Sequence, residues 1–89
     1  QRSKSSLIFA TKHVPGSLVQ CLSLFAERKI NLLKIESRPV VGTPWEYLFF
    51  VDVESDQKNR DFISAFRALK KMTSYVKILG SYEIGRVIK

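Results

Sequence analysis

The run from Ser6 to Thr11 is short, apolar and aromatic, which predicts a buried strand, and Pro15-Gly16 breaks it. From Ser17 onward apolar residues recur at Leu18, Leu22, Phe25 and Ala26, the spacing that lines one face of a helix. Ser17 has the chemistry of an N-cap, because its hydroxyl can accept from a first-turn amide. Arg28 and Lys29 then bring two cations to the end where the helix dipole favours them. Ile30 to Arg38 predicts a second strand, closed by Pro39, which has no amide to give a ladder. Val40 to Pro44, with Gly42 inside it, is a connecting loop, and Trp45 to Val53 is the strongest strand signal of the chain. Phe62, Ile63, Phe66, Leu69 and Met72 form a second helical stripe, and Tyr75 to Tyr82 a fourth strand. The order is βαββαβ. It predicts an α+β, ferredoxin-like sandwich with a four-stranded antiparallel sheet and two helices on one face.

Alternation along the central hairpin sorts its residues by face. A loop centred near Gly42 sets Arg38 opposite Glu46 as a cross-strand ion pair. Leu33, Ile35, Tyr47, Phe49, Val51 and Val53 then share the helix-packed face, and Lys34, Glu36, Arg38, Glu46, Leu48, Phe50 and Asp52 the other. Leu48 and Phe50 are large apolar groups on the uncovered side, so a covering partner is expected.

Composition narrows the classes. Eighty-nine residues suit one domain with a single core, expected over about residues 6–83 with polar tails at 1–5 and 84–89. Nothing approaches a membrane-spanning run, and no membrane partner is expected. One cysteine permits no internal disulfide and fits a reducing, cytoplasmic compartment. The net charge of +7 permits nucleic-acid binding, but the basic residues are scattered rather than massed. RNA-recognition modules share this element order and stack bases on first- and third-strand aromatics. Here the third strand opens Trp45-Glu46-Tyr47 without a basic-glycine start, and Glu46 and Asp52 on its open face would repel phosphate. No nucleic-acid partner is expected.

The best candidate chemistry lies at Lys12 to Leu18. A glycine there allows a tight backbone, and the first amides of the following helix can receive a carboxylate. His13 reads as a loop residue and Cys21 as a packed thiol. No zinc spacing, phosphate-binding loop or catalytic carboxylate pair is present, so no cofactor and no enzymatic activity are expected of this chain alone.

Pro15-Gly16-Ser17-Leu18, Ile30-Asn31-Leu32, Ile35-Glu36-Ser37-Arg38-Pro39, Trp45-Glu46-Tyr47 and Leu79-Gly80-Ser81-Tyr82 stand in an informative order. In that order they resemble the amino-acid-sensing ACT domain that follows the catalytic part of prephenate dehydratase, over nearly the whole chain. The resemblance implies a regulatory domain that binds L-phenylalanine for feedback control. It implies effector contacts from Val14, Pro15, Gly16, Ser17 and Leu18 of one chain, with Asn31 and Leu32 of a neighbouring chain closing the site in a homodimer or higher oligomer. Glu36, Ser37, Arg38 and Pro39 would form the site wall or a relay to the catalytic dehydratase portion. The residues alone allow a plainer reading for these, as a charged surface patch. Aromatic amino-acid hydroxylases carry a similar domain, but the Trp-Glu-Tyr and Leu-Gly-Ser-Tyr segments favour the dehydratase form. Ser17 departs from the usual alanine of the Gly-Ala-Leu turn, and Glu83 stands where dehydratases often have proline. With no initiator methionine, the chain is expected to be a fragment of a larger enzyme.

Overall fold

The computed structural model describes residues 2–12 and 15–84, so His13, Val14 and the expected tail beyond residue 84 lie outside the described residues. The elements are β1 (Arg2–Lys12), α1 (Ser17–Ala26), β2 (Leu32–Val40), β3 (Thr43–Val53), α2 (Arg60–Met72) and β4 (Tyr75–Ile84). Their strands form one antiparallel sheet in the order β2-β3-β1-β4, the ferredoxin-like arrangement the element order predicts.

Residues 2–5 are strand rather than tail. Arg2 to Ser5 pair with β4, and Ser5 is fully buried. Its hydroxyl donates to the Ser55 carbonyl at 2.6 Å and meets the Ser81 hydroxyl at 2.7 Å. A central strand is as long as its two neighbours make it, and a buried hydroxyl is tolerated once bonded. At the other end Ile84 also belongs to β4, and Leu79 is the extra residue where the register against β1 slips.

The two helices start and stop by different devices. Asn59 caps α2, its side-chain oxygen accepting from the Asp61 and Phe62 amides at 2.8 and 3.2 Å. In α1 the N-cap is Gly16, left-handed at φ 87°, and Ser17 is already the first helical residue with no side-chain cap. Ser17 therefore does not have the capping role expected of it. The reason is positional: an N-cap must be non-helical, and only glycine takes this left-handed angle without strain. The end of α1 is a Schellman turn, with the Ile30 amide bonded to Phe25 O and the Lys29 amide to Ala26 O, both at 2.9 Å, and Lys29 at φ 60°. Arg28 reinforces it by donating to Leu24 O at 2.7 Å.

The core lies between the helices and one sheet face. Leu7 and Phe9 of β1, Val51 and Val53 of β3, Phe25 of α1 and Phe62 and Leu69 of α2 are buried there. Phe62 packs its ring 6.3 Å from both Phe25 and Phe66. Cys21 joins this core, and burial pushes its thiol up, away from the reactive thiolate.

The hairpin keeps the expected faces but not the expected partners. Arg38 stands opposite Leu48, not Glu46, and Glu46 instead pairs with Lys12 of β1. The register slips between Pro39 and Val40, where β3 carries extra residues including Pro44. Two prolines that cannot donate leave the ladder incomplete there, and the slack goes into a bulge. Displacement by an even number of residues preserves which side each chain faces. Arg38 lies 3.8 Å from Glu36 and 5.6 Å over the Phe50 ring. Ile35 is opposite Val51 on the helix side yet exposed, because β2 is an edge strand, and a register slip between Leu32 and Lys34 sets Leu32 rather than Leu33 opposite Val53. Leu48 and Phe50 are half-buried on the open face.

Candidate effector site

A concavity of about 240 Å³ opens where α1 begins. Gly16, Ser17, Leu18 and Val19 form one wall, Thr11 and Lys12 the end of β1, and Tyr47, Phe49 and Ser37 the floor from β3 and β2. Strand pairing explains the gathering: Thr11 is opposite Tyr47, Tyr47 is opposite Pro39, and Phe49 is opposite Ser37. The Tyr47 and Phe49 rings stack at 6.2 Å, and Phe49 touches Phe9 at 5.4 Å, tying the floor to the core.

The two ends of the pocket differ in chemistry. Gly16 gives its carbonyl to the Gln20 amide at 2.9 Å, so the helix is properly begun, and among the described residues no side chain caps its first-turn amides. Those amides, with the dipole behind them and Lys12 at the rim, favour a carboxylate. Leu18, Val19, Tyr47 and Phe49 offer apolar surface to a side chain. Thr11 is 6% exposed and contributes a hydroxyl.

Of the residues anticipated from sequence, Gly16, Ser17, Leu18 and Ser37 meet in this pocket. Pro15 is an exposed turn residue just before it, and Val14 lies outside the described residues. Asn31 and Leu32 are at the opposite end of β2 from Pro39, where the Asn31 amide nitrogen donates to Glu54 at 3.4 Å. They do not join the pocket within one chain. Alternation sends Glu36 and Arg38 to the open face, so the Glu-Ser-Arg-Pro segment is split between two sides of the sheet. Arg38 and Pro39 border a separate open groove of about 660 Å³ with Leu48, Phe50 and Tyr75. Lys12 opens the turn singled out from sequence, whereas Thr11, Val19, Tyr47 and Phe49 were not anticipated as site residues. Alternation had put Tyr47 and Phe49 under the helices, which is where the pocket floor is.

Elsewhere on the open face Asp52 accepts from the Ser6 hydroxyl at 2.6 Å and the Lys4 ammonium at 3.2 Å. Partial burial pushes its carboxyl up, but these bonds, with the charges of Lys4 and Lys34, outweigh burial and hold it below the usual carboxylate range. Among the described residues no cluster of histidine, cysteine or carboxylate side chains could hold a metal ion, and no helix is long and apolar enough to cross a membrane.

The fold defines a small α+β module with a concavity at the start of its first helix, and residues 5–71 match the ACT domain family, to which the chain belongs. The proteins it resembles include prephenate dehydratases. A bifunctional chorismate mutase/prephenate dehydratase of Aquifex aeolicus is 43% identical over 79 residues, which cover 89% of this chain and 22% of that protein. The prephenate dehydratase of Arthrobacter aurescens, solved in complex with L-Phe, has a TM-score of 0.84 at 28% identity, covering 92% of this chain and 27% of its own. GqqA, described as a novel type of quorum quenching acylase, has a TM-score of 0.87 at 25% identity, covering 93% of this chain and 43% of its own. The chain thus spans 22% of the length of the first of these relatives.

Proposed function

We propose that this chain is the regulatory domain of a cytoplasmic prephenate dehydratase and that it senses L-phenylalanine. The observation that carries this reading is the pocket at the start of α1, with uncapped amides at one end and stacked aromatic floor residues at the other. An amino acid with an aromatic side chain matches both ends. The L-Phe complex of the Arthrobacter aurescens relative supports the choice of ligand.

At about 240 Å³ the pocket is smaller than the ~300–1,000 Å³ of complete small-molecule sites, which fits a half-site. A second copy, joined through exposed edge strands, would bring its Asn31 and Leu32 to close it and would protect the β2 edge. Glu36, Arg38 and Pro39 would carry the change to the catalytic portion, since they share a strand with Ser37 but border the opposite groove. Feedback then follows if the two subunit arrangements hold phenylalanine with different affinity, because equal affinity would shift nothing.

The test is calorimetric titration with L-phenylalanine, against L-tyrosine, L-leucine and D-phenylalanine, with sedimentation followed in parallel. Selective binding by a dimer, weakened in Asn31→Ala, is the expected result. Absence of heat, or equal heats from the two enantiomers, would end the phenylalanine-sensor reading.

A further inference from the structure

One face of α2 carries charge that the fold does not compensate. At helical spacing Arg60, Ser64, Arg67 and Lys71 fall on one line, about 16 Å long at ~1.5 Å per residue. The gap at Ser64 is filled from outside, because Arg28 donates its Nε to Ser64 Oγ at 3.2 Å. The outcome is a cation at every turn. Among the described residues Arg60, Arg67 and Lys71 make no ion pair or hydrogen bond through their side chains, while Arg28 has the exposed Glu27 at 3.8 Å. Asp61 opens instead onto a different concavity with Asn59 and Asn31.

Local electrostatics argue against this placement as a surface left to chance. Arg60 is the first residue of α2, where the helix dipole disfavours a cation, and Arg67 and Lys71 are like charges four residues apart, although the dipole favours Lys71 in the last turn. The stripe also runs through an open concavity of about 680 Å³ whose other contributors, Ile63, Ala68 and Met72, are apolar. Ile63 and Met72 are 36% and 37% exposed.

We infer that this face docks an acidic amphipathic helix of a partner protein. Carboxylates at helical spacing repeat with the same ~5.4 Å pitch as the cations, so a helix laid along α2 meets all of them at once. A compact phosphate ligand would reach only part of the line. Nucleic acid would match the charge but not the aliphatic flanks, and among the described residues no aromatic ring lines the concavity for a base to stack on. An amphipathic helix uses both features.

The whole chain is titrated by fluorescence anisotropy with three labelled probes. One is a designed helical peptide with glutamates at i, i+4, i+7 and i+11 between leucines, the second has the same composition scrambled, and the third is oligouridine. The in-register peptide is expected to bind at least about tenfold tighter than either control. The surface double variant R67E/K71E should lose about tenfold, with its circular dichroism unchanged, and regain it for a peptide carrying lysines at the two facing positions. Equal affinity for the scrambled peptide, tighter binding of oligouridine, or no loss and no charge-swap rescue in R67E/K71E would each overturn the assignment.

Discussion

Replacing Gly16 by alanine tests the site with little ambiguity, because the effect has one physical source. Gly16 holds φ 87°, and a Cβ built on it meets no heavy atom within 4 Å, so there is no steric contribution. What remains is backbone strain of roughly 1–2 kcal/mol for an L-residue in the left-handed region. If the fold holds the angle regardless, the strain appears as lost stability. Partly offset by the smaller entropy of the unfolded variant, about 1 kcal/mol should lower Tm by about 4–8 °C. If instead the free turn relaxes and the ligand restores it, the strain appears in binding, as a loss of about 5- to 30-fold in phenylalanine affinity. Differential scanning calorimetry and titration calorimetry on the same preparation measure both shares. Gly42→Ala is the internal control: Gly42 has φ 89°, also with nothing within 4 Å, but it is at the hairpin turn and lines no wall of the pocket. It should lower Tm alike and leave affinity untouched. A D-alanine at position 16, which takes positive φ freely, should change neither quantity. Gly16→Ala with both Tm and affinity unchanged would refute the strained-turn argument.

Phe62→Ala removes a fully buried ring from between Phe25 and Phe66, and should cost about 3–5 kcal/mol by urea unfolding. Against a total of about 4–13 kcal/mol for a chain of this length, that is about a quarter of the stability or more. Asp52 has a depressed carboxyl in the fold, so its contribution to stability is present above the unfolded value of about 3.9 and is lost as pH falls through the lower folded value. The stability gap between wild type and Asp52→Asn, measured by urea midpoints, should therefore shrink as the solution is acidified below about pH 4. A gap that widens on acidification would contradict the ion-pair account. Ser17→Ala should leave phenylalanine affinity within about threefold in titration calorimetry, because the Ser17 hydroxyl caps nothing and the amide that it shares with alanine remains.

Much of the fold was legible because its signals are local. Helical stripes, alternating strands and the glycine turn each lie within a few neighbouring residues, and the element order follows from them. The register of the central hairpin was not legible. Pro39 and Pro44 announce that the ladder is interrupted, but which strand takes up the slack depends on β1, whose Lys12 claims Glu46 from the other side. The start of β1 was hidden for a related reason. Its serines are polar, and only Ser55 and Ser81, brought in from elsewhere, make burying Ser5 acceptable.

The candidate site divides along the same line. By itself the sequence determined that a helix begins just after the Pro15-Gly16 break, that aromatic residues alternate along the third strand, and that a Glu-Ser-Arg-Pro segment ends the second. Those properties follow from backbone sterics and side-chain period, which need no distant contact. Alternation had already set Glu36 and Arg38 on the other face, but only the tertiary structure decided that Thr11, Ser17, Ser37 and Tyr47 meet in one pocket. Pairing of strands far apart in the chain sets that choice, and it is won by the summed burial and hydrogen bonding of the whole sheet rather than by any segment.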